Sequence, residues 1–177
     1  TIETQDFALV DDHTINGDVL LKGKTLNLNG RSLTIKGNLI HSGGNLLVNN
    51  GRLEVEGDYR IQKPDTESET GYTYSSGVLR MENVDDYILV HGDFVMDSRY
   101  GGFDTHSSSS YYIYNGDWLT AGTLELKGDL TQLSTSTTDT VSYLERYYPH
   151  ENFQATVSHK VILSGESKQV ISFEDAA

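Results

Sequence analysis

The chain has 177 residues, a single-domain length, with 17 Gly, 2 Pro, no Cys and a formal net charge of −13. The lack of Cys excludes disulfides, thiolate chemistry and Cys-ligated zinc, and the negative surface disfavours nucleic acid and anionic membrane surfaces as partners. No apolar run approaches the ~20 residues of a membrane-spanning helix, and abundant Gly with short apolar–polar alternations points to strands.

The chain opens on Thr1 with no Met and no signal-peptide pattern, and reads as a segment of a larger polypeptide. Residues 1–16 end in a strand leading to Gly17 and are expected to cap one end of the fold. Residues 17–56 are two copies of one unit of twenty residues, aligned without a gap. Leu26 matches Leu46, Asn29 matches Asn49, Leu33 matches Leu53 and Ile35 matches Val55.

A Gly-acid or Gly-Asn step recurs at Gly17, Gly37, Gly57, Gly92, Gly128 and Gly165, with spacings of 20, 20, 35, 36 and 37. Apolar residues stand four and two positions before each of the last five steps, from Leu33 and Ile35 to Val161 and Leu163. That is a period-two strand with one apolar face, ending in a turn. The first unit departs, with His13 and Ile15 at these places.

Strands are predicted near 19–21, 25–28 and 33–35 of the first unit. The prediction is all-β: a right-handed parallel β-solenoid of about six coils, three short strands per coil, neighbouring coils ~4.8 Å apart. A β-sandwich of hairpins would explain the short strands but not the shared phase. Residues 57–164 form three coils with inserts, and 165–177 read as the start of a further, truncated coil.

The inserts fall after the first strand of each unit, at 62–76, 97–116 and 133–152. Inserts at one phase must emerge on one side of the stack. They are rich in Ser, Thr and Gly and hold Tyr72, Tyr74, Tyr100, Tyr111, Tyr112, Tyr114, Tyr143, Tyr147 and Tyr148, with Trp118 just after the second. Such a mixture supplies flat, amphipathic contact area with adaptable hydrogen bonds. Three readings stand: the rings pack together as a satellite layer, they form an exposed binding platform for a sugar chain or a protein, or the inserts are loose, as the runs 107–110 and 131–140 suggest.

Other chemistry is thinly signalled. Asp11–Asp12, Asp85–Asp86 and Asp104 with His106 offer oxygen ligands, but neither an EF-hand nor a nine-residue calcium repeat is present, so Ca²⁺ is a weak expectation and no cofactor is assigned. The stacked row Asp18, Asn38, Asp58, Asp93 and Asp129 needs relief of its charge, and turn amides are the expected source. The six histidines show no ligand spacing and are expected on the surface, except His13, whose inward phase suggests a satisfied core imidazole. No nucleophile elbow, phosphate loop or dinucleotide fingerprint occurs, so no catalytic residue is assigned and the chain is expected not to be an enzyme. A polysaccharide lyase or hydrolase is the least favoured reading.

The stretches TINGDVLLKGKTLNLNGRSLTIKGNLIHSGG, GDYRIQ, GDFVMDS, LTAGTLELKGDLTQ and HKVILSGESKQVISFE resemble a β-solenoid repeat module of large secreted or cell-surface proteins of Gram-positive bacteria. The resemblance spans nearly the whole chain. It implies a non-catalytic, extracellular, adhesin-like segment flanked by other domains, and no ligand. The expected function is carbohydrate or host-surface recognition by the insert tyrosines and Trp118, with polysaccharide or cell-surface glycan as partner. The alternative is a purely structural spacer or shell segment.

Overall fold

The computed structural model describes residues 1–99, 118–136 and 152–174. The described residues form strands and turns, with no helix. In chain order the strands are β1 (Phe7–Ala8), β2 (His13–Ile15), β3 (Val19–Leu21), β4 (Lys24–Asn27), β5 (Ser32–Ile35), β6 (Leu39–His41), β7 (Gly43–Leu47), β8 (Arg52–Val55) and β9 (Tyr59–Pro64). There follow β10 (Tyr72–Tyr74), β11 (Ser76–Arg80), β12 (Tyr87–Val90), β13 (Phe94–Met96), β14 (Thr123–Leu126), β15 (Leu130–Gln132), β16 (Lys160–Leu163) and β17 (Ile171–Phe173). The strands predicted in the first unit thus fall within one residue of β3, β4 and β5.

Three parallel sheets result. Sheet 1 runs β17-β15-β13-β9-β6-β3, sheet 2 runs β1-β4-β7-β11, and sheet 3 runs β16-β14-β12-β8-β5-β2. From β1 to β9 the chain supplies the sheets in the rotation 2, 3, 1. The twenty-residue period becomes the pairing register: Val19 faces Leu39, Leu26 faces Leu46 and Leu33 faces Leu53. A repeat that preserves phase brings like side chains onto like, so each apolar column continues through its sheet.

Those columns are the core. Leu33, Leu53, Ile88 and Leu124 are buried in sheet 3, and Leu26, Leu46 and Leu79 in sheet 2. In sheet 1 the column carries Val19, Leu39, Tyr59, Phe94 and Leu130. Burying one such side chain stabilises by about 1.5–3 kcal/mol. An aromatic file runs from this core to its exposed end, through buried His41, Tyr59 and Phe94 to part-buried Phe153 and exposed Phe173, with successive ring centroids 6.4, 5.3, 6.1 and 6.2 Å apart.

The corner glycines serve close stacking. A Cβ on Gly57 would lie 2.4 Å from Asn38 Oδ1 and 2.9 Å from the Gly37 carbonyl oxygen, and Gly92 and Gly128 are as tight against the preceding layer. Gly165 does not continue this series. Its amide donates to Gln169 Oε1, and the Gln169 amide group donates to the Leu126 and Gly128 carbonyls. Val170, not Glu166, then takes the corner place, its amide bonded to Asp129 Oδ1 at 2.8 Å.

Residues 1–16 contribute an outermost strand or bridge to every sheet: β1, β2, and Ile2 against Leu21. His13 is exposed, contrary to the core role its phase suggested, because β2 is the last strand of sheet 3. Among the described residues the buried imidazole is His41. At the opposite end of the sheets, Leu163, Ile171 and Phe173 are 39%, 50% and 45% exposed although their register partners are buried.

Candidate functional site

β9 is the longest strand of sheet 1, and its extra residues carry the first insert. The chain turns at 65–71 and returns as β10, antiparallel to β9, with Tyr72 opposite Pro64 and Tyr74 opposite Gln62. The turn closes through Asp65 N–H donating to the Gly71 carbonyl at 2.9 Å and Glu67 N–H donating to Asp65 Oδ1 at 3.0 Å. Gly71 sits at φ 77°, a conformation that favours glycine. The first insert is therefore an ordered hairpin standing beside the outward face of sheet 1.

That face and the hairpin enclose a trough of about 480 Å³. One border is the corner row Asn38, Asp58, Asp93 and Asp129. The floor is Ile40, Arg60, Val95 and Thr131. Thr70 and Tyr72 of the hairpin line it, as does Gln62 at the base of β9. Strands lie ~4.8 Å apart, so each row repeats its side chains at that interval across the strands.

The corner row is first a structural device. Asp18 Oδ1 accepts Asn38 N–H at 2.7 Å, Asn38 Oδ1 accepts Asp58 N–H, Asp58 Oδ1 accepts Asp93 N–H and Asp93 Oδ1 accepts Asp129 N–H, each of these three at 2.9 Å. Each side chain brackets the backbone amide of the next layer. The expected amide relief of the stacked carboxylates is present, and it comes from the turn of the next layer rather than from the residue's own turn.

The second oxygens differ. Asp58 Oδ2 receives the Arg60 guanidinium at 3.0 Å, and Arg60 Cζ also lies 5.3 Å from the centroid of the Tyr72 ring. Arg60 thus ties the acidic border to the hairpin, and Tyr72 remains partly exposed. Asp93 and Asp129 have no cation within reach among the described residues.

Behind this row lies a buried polar cluster. Gln62 is 4% exposed; its Nε2 donates to Asp97 Oδ2 at 3.4 Å and its Oε1 has no partner. Asp97 also accepts the Thr135 amide and hydroxyl at 3.1 and 2.7 Å. Asn152 Nδ2 donates to the Ser98 and Leu133 carbonyls. These bonds pin the bases of the second and third inserts.

The outward face of sheet 3 is arranged differently. Arg52 lies 4.3 Å over the Tyr87 ring, His91 meets Glu54 at 3.0 Å, and Glu125 accepts from Tyr87 and Ser164 hydroxyls. The His91 bond lowers the pKa of Glu54, and the Ser164 bond, then the Tyr87 bond, lower that of Glu125. Burial, reinforced by Glu125, raises that of Tyr87. Its acids face partners of their own, leaving little for a ligand.

Of the ten expected ligand-binding residues, Tyr72 lines the trough. Tyr74 lies on the same hairpin and the Trp118 backbone carbonyl accepts from Met81 N–H; neither residue lines the trough. Tyr100, Tyr111, Tyr112, Tyr114, Tyr143, Tyr147 and Tyr148 lie outside the described residues. Sequence reasoning missed Arg60, Gln62 and the floor row. Their signal was present in the outward-phase positions of YRIQ, directly before the first insert. Among the described residues no group of three or more His, Cys, Asp or Glu is placed to hold a metal ion. No protein-family model, curated protein or solved structure matches this chain.

Proposed function

We propose that the three sheets are the walls of one right-handed parallel β-solenoid of about six coils, and that it serves as a non-catalytic binding module of a secreted or cell-surface bacterial protein, recognising a polysaccharide chain. The observation that carries this reading is the trough itself: a row of polar groups repeating at strand spacing, an apolar and Thr-bearing floor, and the Tyr72 ring at the side. An aromatic ring stacks on the apolar face of a pyranose, and polar groups beside it take the hydroxyls. The chain would lie across the strands, meeting one layer after another.

The non-catalytic part of the reading rests on how the acids are used. Glycoside hydrolysis requires one carboxyl free to hand over a proton and another to act as base or nucleophile. Asp58 has one oxygen fixed by a backbone amide and its second on Arg60, and Asp93 and Asp129, each with one oxygen so fixed, stand in the same row, with no carboxyl among the described residues lining the opposite side of the trough to complete a flanking pair. That amide ladder is also the observation favouring the alternative, a rigid spacer within a larger surface protein.

The test is retardation of the purified protein in native gels cast with a panel of polysaccharides, alongside Tyr72→Ala. Retardation by one polymer, weakened at least ~10-fold in the variant (about 1.4 kcal/mol), supports the binding module. Absence of retardation across the panel selects the spacer. New reducing ends appearing in a retarding polymer would overturn the non-catalytic reading.

A further inference from the structure

The trough's unpartnered polar atoms are acceptors. Asp93 and Asp129 commit Oδ1 to backbone amides at 2.9 and 2.8 Å and leave Oδ2 without a partner among the described residues. Gln62, almost fully buried, lines the same trough with Oε1 unpaired. A buried carbonyl oxygen without a donor is rare in folded proteins and marks a place where a donor is missing. The local cation, Arg60, is already shared by Asp58 and Tyr72.

We propose that the trough takes a glycan carrying free amino groups, with ammonium groups at Asp93 and Asp129 and a donor on Gln62 Oε1. The inference rests on the glycan reading above and narrows it. Sugar hydroxyls could donate to these acceptors, but they would leave two carboxylates on adjacent strands with their charge uncompensated, on a chain of net charge −13. An ammonium supplies donor and charge together. Uronic-acid and sulfated chains are repelled by the same border. A basic peptide fits less well, because the backbone groups of sheet 1 already pair within the sheet and offer it no strand to extend, whereas Tyr72, Ile40 and Val95 offer flat apolar surface to a ring.

The test compares chito-oligosaccharides of matched length, fully deacetylated and fully N-acetylated, by titration calorimetry at low salt and mildly acid pH, where the sugar amine is protonated. The deacetylated form is expected to bind at least ~10-fold tighter, a difference of about 1.4 kcal/mol. The double variant Asp93→Asn, Asp129→Asn is expected to erase that preference. Asn at these places preserves the amide bracket, as Asn38 already does for Asp58 N–H at 2.9 Å. Asp11→Asn with Asp85→Asn, both exposed and away from the trough, removes equal charge and is expected to keep the preference.

Equal binding of the two forms by the native protein overturns the amine inference and leaves the glycan reading standing. Binding of neither form also overturns the amine inference, and the glycan reading then stands or falls with the polysaccharide panel. A preference reduced equally by the control pair means diffuse attraction to an acidic surface and overturns the site. Polylysine binding lost in Asp93→Asn, Asp129→Asn, with no oligosaccharide binding, makes the occupant a basic peptide and overturns the inference.

Discussion

Replacing His41 with Leu tests a titratable side chain sealed inside the core. Its Nε2 lies 3.0 Å from the Gly44 carbonyl and its Nδ1 3.2 Å from the Tyr59 hydroxyl. A carbonyl only accepts, so Nε2 carries the proton and Nδ1 accepts from Tyr59 O–H. The neutral ring therefore satisfies both nitrogens. Burial pushes its pKa down to about 4 from 6.5, the Gly44 bond offsetting a part. The folded value lies below the unfolded one, so the unfolded chain takes up a proton first as pH falls. The associated stability is complete above 6.5 and is lost as pH drops from there towards 4. At 1.36 kcal/mol per pH unit this amounts to about 3 kcal/mol.

Burial also lowers the pKa of His159, which acts in the same direction, so the comparison must be with the variant. Leu21 occupies the preceding place in the column, so Leu suits the site, although the Tyr59 hydroxyl loses its partner at a cost of about 1–3 kcal/mol. Urea unfolding followed by circular dichroism, from neutral pH down to about pH 4.5, should show His41→Leu losing roughly 2–3 kcal/mol less than the native protein. Equal losses in the two proteins, or a His41 ring resonance titrating near its unperturbed value, would refute the argument.

Other substitutions probe the corners. Asp86 is buried and accepts the amides of Asn50, Glu82 and Asn83 at 2.6, 2.8 and 3.0 Å. Asp86→Ala should cost about 2–4 kcal/mol in chemical denaturation and Asp86→Asn clearly less, since one amide oxygen remains. Gly44 has φ 80°, and a Cβ there would lie 2.2 Å from the Lys24 carbonyl oxygen, so Gly44→Ala should cost upwards of ~2 kcal/mol. Gly30 has φ 73° but open space, so Gly30→Ala should cost only about 1 kcal/mol; equal losses at the two glycines would contradict the packing. Tyr72→Ala removes a partly exposed ring and should shift stability by less than ~1 kcal/mol while weakening glycan binding.

The parallel strands were legible because the repeat preserves phase. Leu26 and Leu46, or Leu33 and Leu53, share a phase in the sequence and a layer in the structure. Legibility ended where a side chain replaced a backbone signal. Gly165–Glu166 matches the motif in letters, yet Gln169 reaches in to take the carbonyls of Leu126 and Gly128 and moves the corner to Val170. His13 and His41 show another limit. Phase gives the face a side chain takes, but burial also needs a layer on both sides, which His13 on the terminal strand β2 lacks and His41 on β6 has.

The trough was the least legible part. Outward positions need not be apolar, so Arg60, Val95 and Thr131 show no pattern along the chain. Their neighbourhood is created by register across 35 and 36 residues and by a hairpin whose antiparallel pairing the repeat does not encode.

The most direct test of the binding site is to map backbone amide chemical shifts by NMR while adding an oligosaccharide of a polymer that retards the protein. The account predicts shifts concentrated at Ile40, Arg60, Val95, Thr131 and Tyr72, on the outward face of sheet 1. Shifts concentrated instead at Arg52, Tyr87 and His91 on sheet 3, or no shifts at saturating ligand, would contradict it.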